Sequence, residues 1–205
     1  YKKNQTKHQK FVMFIVVQIL VKVMFMDVQN YIKYYKKIVP DDLCDRLCDY
    51  DFKYEPSTYS THDSGKVVKN DRVSMDDCWI GKDNWFYTSL KEVFENVIVR
   101  YKTDFPLFEV SKTTDFRISR YGKNGFMSNH VDNIHHSHGQ QWGYPQVSAL
   151  LYLNDDYEGG DFIVSGKKFK TEKGSALIFP SNFVYPHEVE KIIKGTRFSI
   201  VTWLM

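Results

Sequence analysis

"DFRISRYGKNGFMSNHVD", Asp115–Asp132, is where the pattern of the chain changes. Apolar and polar side chains alternate through "FRISRY", a period of two, which is the period of a strand with one buried face. "GKNG" then supplies turn residues, and "FMSNHVD" reads as a second strand. The same reading continues to the C-terminus through "QVSALLYLN", "GDFIVS", "KKFKTE", "SALIFPS", "HEVEKI" and "TRFSIVTWLM". Between them "NDDYEGG", "SGK", "EKG", "PSN" and "KG" collect the Gly, Asn, Asp and Pro that break strands. Many short strands in succession point to a sandwich or barrel of jelly-roll type.

Upstream the period is helical. "PDDLCDRLCDY" begins on a Pro40–Asp41 start signal and carries Leu43, Leu47 and Cys48 on one side. "NWFYTSLKEVFENVIVRYK" repeats Phe86, Leu90, Val93, Phe94, Val97, Ile98 and Tyr101, an amphipathic stripe that needs a sheet to cover it. "YIKYYKK", residues 31–37, reads as a lead-in strand or helix face. The expected fold class is therefore α+β, mainly β: a double-stranded β-helix (jelly roll) with N-terminal buttressing helices.

The 205 residues suit one domain, and the aromatic fraction of 16% favours a β-rich core. A net charge of only +3, with scattered lysines, argues against a nucleic-acid partner. Cys44, Cys48 and Cys78 form no framework and read as free thiols; Cys44 and Cys48 lack the second ligand pair of a zinc site. Residues 1–27 read as an N-terminal appendage and 28–205 as the domain. The basic "YKKNQTKHQK" and apolar "FVMFIVVQILVKVMF" are similar to a signal or anchor. However, Gln18 and Lys22 interrupt the run, no small-residue cleavage site follows, and it falls short of the ~18 residues a spanning helix needs. A cytoplasmic location is favoured, and a membrane association is not expected.

"NHVDNIHHSH" crowds four histidines and an aspartate together. If "HVD" is extended, His130 and Asp132 share a face, as one His and one carboxylate of a facial metal triad whose third ligand comes from another strand. By itself His-x-Asp is a sparse signal. His187, in "FPSNFVYPHEVEKI", is placed to return to the sheet, and Arg197 follows in "GTRFSIVTWLM". In a strand, Arg197, Ser199, Val201 and Trp203 share one face. A buried Arg197 requires an anion, and a guanidinium fork suits a carboxylate. "NIHHSHGQQWGYPQ" reads as a loop at the rim of such a site, so His135 and His136 are either substrate contacts or solvent-exposed.

His130-x-Asp132, then His187 and Arg197, in a strand-rich half that also contains "SRYGKNGFMSNHVD", "SALLYLNDDYEGGDFIV" and "KGSALIFPS…PHEV", resembles the prolyl 4-hydroxylase type of Fe(II)- and 2-oxoglutarate-dependent dioxygenase. The resemblance runs from about Tyr31 to Met205. It implies Fe(II) on His130, Asp132 and His187, and 2-oxoglutarate and O2 as cosubstrates, with ascorbate as an accessory reductant. It also implies a cosubstrate carboxylate on Arg197, with Tyr152, Tyr121 and Ser199 as further contacts, and Trp203 beside the substrate. The implied reaction hydroxylates an unactivated C–H, most naturally of a prolyl residue in a peptide or protein, releasing succinate and CO2. A free amino acid or small metabolite as substrate, and a non-catalytic jelly-roll metal-binding module, are the alternatives. A nucleobase demethylase is disfavoured, because no second arginine follows Arg197.

Overall fold

The alternation that begins at Phe116 becomes two facing antiparallel sheets. In the computed structural model, residues 27–60, 67–68, 71–133 and 143–205 are described. The strands in chain order are β1 (Lys33–Tyr35), β2 (Glu55–Pro56), β3 (Tyr59–Ser60), β4 (Val67–Val68), β5 (Val73–Ser74), β6 (Asp76–Ile80), β7 (Phe116–Tyr121), β8 (Phe126–His130), β9 (Val147–Tyr152), β10 (Glu158–Gly159), β11 (Phe162–Val164), β12 (Lys167–Phe169), β13 (Ala176–Pro180), β14 (His187–Val189), β15 (Ile192–Lys194) and β16 (Arg197–Leu204). The α-helices among the described residues are α1 (Asp41–Asp49) and α2 (Tyr87–Asp104), and a 3-10 turn spans Val28–Tyr31.

The larger sheet has the order β1-β13-β9-β16-β7-β6-β2 and the smaller one β12-β11-β14-β8-β5. From β7 onward the chain crosses between them in turn: β7, β9, β13 and β16 lie in the larger sheet, and β8, β11 and β14 in the smaller. This back-and-forth winding is the expected jelly roll. "YIKYYKK" resolves as a strand, with Lys33, Tyr34 and Tyr35 of β1 paired with Ile178, Leu177 and Ala176.

Each strand of the larger sheet has two unlike faces, because side chains alternate. One face presents Phe116, Ile118, Ala149, Leu151, Ala176, Ile178, Ile200 and Leu204 to the helices, whose Leu43, Leu47, Leu90, Phe94 and Val97 complete one apolar cluster. Burying each such Leu, Ile or Phe contributes about 1.5–3 kcal/mol. The α2 stripe is buried as its period predicts, at Leu90, Val93, Phe94, Val97 and Tyr101. In α1 the buried thiol is Cys44, while Cys48 is only partly covered. Both are free, and burial pushes their thiols up to about 11 and about 12.

Asp27–Asn30 fall in a separate unit that ends at Asn30, and Tyr31–Met205 form another. The apolar run at residues 11–25 lies outside the described residues. Among the described residues, no helix is long and apolar enough to cross a membrane.

Candidate active site

The second face of the larger sheet looks across at the smaller sheet, and it carries the polar residues. In the smaller sheet β14 pairs with β8, and the register sets His187 opposite His130. Their rings lie 4.2 Å apart between centroids. Asp132 completes the group: its Oδ1 is 3.5 Å from His130 Nε2 and its Oδ2 3.5 Å from His187 Nε2. One ligand atom from each residue lies within 4.8 Å of the others.

One detail departs from the sequence reading. "HVD" is not a continuous strand, because β8 ends at His130 and Asp132 stands in a bend just beyond it. By Asn133 the chain has left the ladder, with its backbone N–H donating to the Ser181 carbonyl at 3.0 Å. Asp132 is held in the site by a different route. The Ser148 hydroxyl donates to Asp132 Oδ2 at 2.6 Å, and Ser181 Oγ lies 2.7 Å from Ser148 Oγ.

Both imidazoles are oriented by the backbone. His130 Nδ1 lies 2.9 Å from the Ser128 carbonyl oxygen, and His187 Nδ1 lies 3.1 Å from that of Tyr185. With a proton on each Nδ1, the Nε2 lone pairs face Asp132, the arrangement of a metal-binding histidine. His187 packs against Phe162 and Phe179. Burial, aided by His130, lowers its pKa to about 4, so it is neutral and ready to coordinate at neutral pH. Two imidazoles and one carboxylate on one side of a site suit Fe(II) and leave further positions for other ligands.

Arg197 opens β16 opposite Tyr121, and Ser199 pairs with Ser119 and Tyr152. The guanidinium lies 5.0 Å from the Tyr121 ring centre and 5.2 Å from that of Tyr152. Arg197 is only 1% exposed. Its Nη1 donates to Ser199 Oγ at 3.1 Å, while Nε and Nη2 are buried without a partner among the described residues, as is the Tyr152 hydroxyl. Desolvation pushes both tyrosine pKa values up, so the hydroxyls stay protonated donors. A buried charge left this way costs several kcal/mol unless an anion joins it, and the unused donors suit a carboxylate. Gly160, at φ +67, lets the chain pass close by: a Cβ there would run into Ile192 and lie 3.3 Å from Arg197 Cδ.

The structure thus brings His130, Asp132, His187, Tyr121, Ser199 and Trp203 around one cavity, with Arg197 against Tyr121 and Tyr152 behind it. His135, His136 and His138 lie outside the described residues. Ser148 and Ser181 were not anticipated, and neither was Arg117, which lines the same cavity. The signal for Ser148 was a polar residue inside the apolar run "QVSALLYLN". The signal for Arg117 was a charge at a strand position in phase with Ser119 and Tyr121.

Residues 116–205 match the 2OG-Fe(II) oxygenase superfamily. A PKHD-type hydroxylase of Crocosphaera subtropica is 35% identical over 94 residues, covering 43% of this chain and 41% of that protein. Human prolyl 3-hydroxylase 2 is 40% identical over 67 residues, 29% of this chain and 10% of that one. The chain spans about half the length, or less, of the curated relatives it matches. The viral collagen prolyl hydroxylase of Paramecium Bursaria Chlorella virus-1, solved with 2OG, superposes with a TM-score of 0.67 at 13% identity, over 85% of this chain and 95% of that one. The Trichoplax adhaerens prolyl hydroxylase, solved with a hypoxia inducible factor peptide fragment, gives 0.67 at 17% identity, over 99% and 94%. These two likenesses concern the fold. The family match covers residues 116–205, and over that part the chain is similar to the 2OG-Fe(II) oxygenase superfamily, with relatives that include a PKHD-type hydroxylase and a prolyl 3-hydroxylase.

Proposed function

We propose that the protein is an Fe(II)- and 2-oxoglutarate-dependent dioxygenase that hydroxylates an unactivated C–H, most naturally on a prolyl residue of a peptide or protein. The observation that carries this reading is the pairing of two sites in one jelly roll. One is a His-Asp-His cluster, and the other is a buried arginine with unused donors. A bare metal-binding module has no need of the second. The relatives' names, which include prolyl hydroxylases, support a prolyl substrate.

His130, Asp132 and His187 would hold the iron, and Arg197, Tyr152 and Ser199 the far carboxylate of 2-oxoglutarate. When bound, iron, 2-oxoglutarate and O2 supply the oxidising power that breaks the C–H bond and yields succinate and CO2. The chain's own residues do the rest. The Ser148 hydroxyl keeps one Asp132 oxygen occupied and aims the other. The Ser128 and Tyr185 carbonyls hold the imidazole Nδ1 atoms. Leu150, Val201 and Trp203 give the cavity an apolar wall that limits water beside the reacting carbon.

The test supplies Fe(II), O2, 2-oxoglutarate and ascorbate with proline-containing peptides or free amino acids, and reads succinate and a one-oxygen mass gain. Wild type is expected to give both with peptides, and His130→Ala neither. No succinate from wild type with any substrate rejects the enzyme. A mass gain confined to free amino acids rejects the peptide.

A further inference from the structure

A second arginine lines the cavity. Arg117 shares its strand face with Ser119 and Tyr121 and lines the space that His130, Asp132 and His187 also line. It sits between Trp79 on β6 and Val201 on β16 in the register. Its guanidinium carbon stands 4.7 Å from the centre of a Trp203 ring and 6.0 Å from that of Trp79. Both indoles thus pack beside the guanidinium, and its N–H edges are its hydrogen-bonding directions.

Those edges are poorly used among the described residues. The side chain is 21% exposed, and its one ion pair there, Nη1 to Asp77 Oδ2, is 3.9 Å long, beyond a hydrogen bond. Nε is buried with no partner among the described residues. Arg197 serves the cosubstrate in the reading above, so Arg117 remains for whatever else enters the cavity. A neutral carbonyl would take one donor. A carboxylate takes the Nε and Nη donors together and adds the charge that Asp77 supplies only at a distance.

We propose that Arg117 anchors a carboxylate of the substrate, so that the preferred substrate carries an acidic group close to the carbon that is hydroxylated. This rests on reading the cavity as a dioxygenase site. The carboxylate belongs either to an acidic residue flanking the target in a peptide or to the free terminus of a small substrate.

The experiment uses the full chain loaded with Mn(II) and 2-oxoglutarate, and reads binding by calorimetry. The probes are acetylated peptides with a central proline flanked by Glu, their Gln counterparts, and N-acetylproline as free acid and as amide. Wild type is expected to prefer the charged member of at least one pair about tenfold, the worth of a charge-assisted hydrogen bond. Arg117→Gln should bring that pair to parity, while Arg117→Lys keeps part of the preference. The pair that responds identifies the source of the carboxylate. Equal binding within both pairs, no binding of any probe, or a preference that survives Arg117→Gln overturns the proposal. Binding of 2-oxoglutarate to the Mn(II)-loaded protein, measured separately by calorimetry, reports on the dioxygenase reading itself.

Discussion

The two faces of the larger sheet come from the same strands and obey the same alternation, yet they differ in almost every physical respect. The helix-covered face holds Phe116, Ile118, Leu151, Ile178 and Ile200 in a closed apolar cluster. The opposite face holds Arg117, Ser119, Tyr121, Ser148, Tyr152, Arg197 and Ser199, several of them fully buried. The first face is complete without any ligand. The second contains donors with no partner among the described residues, at Arg197 Nε and Nη2 and the Tyr152 hydroxyl. One face stabilises the sheet, and the other holds unused donors that suit a ligand. That division gives one short domain both a firm core and a polar interior.

The largest effect should come from breaking the packed face. Phe94→Ala removes a ring that is 2% exposed and stacked 5.1 Å from Phe116. It should lower unfolding stability by about 3–5 kcal/mol, read in chemical denaturation, with metal affinity changed little in the fraction that stays folded. Arg197→Met breaks the other face. It should weaken 2-oxoglutarate binding to the Mn(II)-loaded protein about a hundredfold, seen by calorimetry. The same variant should melt no lower, or higher, than wild type without ligands, because it removes a buried charge that has no counter-ion among the described residues. A lower melting temperature would mean that Arg197 is already satisfied by the fold.

Ser148→Ala tests the support beneath the proposed metal ligand Asp132. It takes the 2.6 Å hydrogen bond from Asp132 and should weaken metal binding about tenfold, measured by competition with a chelator. The smallest effect is one of pH. Buried His187 takes a proton only near pH 4, whereas an unfolded histidine takes it near pH 6.5. Between those values unfolding takes up a proton, so metal-free protein loses stability as the pH falls through that window. His187→Gln should flatten the slope of denaturation midpoint against pH there, and an unchanged slope would show that other groups set it.

Much of this was legible along the chain, and the reason is periodicity. A change from a helical to a strand period needs only neighbouring residues, so α2, β7 and β9 could be located from their own side chains. His130, His187 and Arg197 were legible because histidines and an arginine stand out among Val, Ile and Phe. Ser148 was not, since one serine in a strand says nothing until Asp132 is known to lie beside it. The state of Asp132 was also hidden: its alternation with His130 suggested a strand, and the structure puts it in a bend. Cys44 and Cys48 show the same limit in a helix, where period alone did not tell which thiol is the more covered.

The order of helical and alternating segments, the in-phase polar residues of each strand and the types of the candidate metal-binding groups were all determined by the sequence itself, because they depend on local spacing. Tertiary structure decided which of those groups meet. Pairing of β14 with β8 set His187 against His130, Ser148 of the larger sheet reached Asp132 at the end of the smaller, and two tyrosines closed over Arg197. These meetings join residues far apart in the chain, and only the register between strands and the facing of the two sheets determine them.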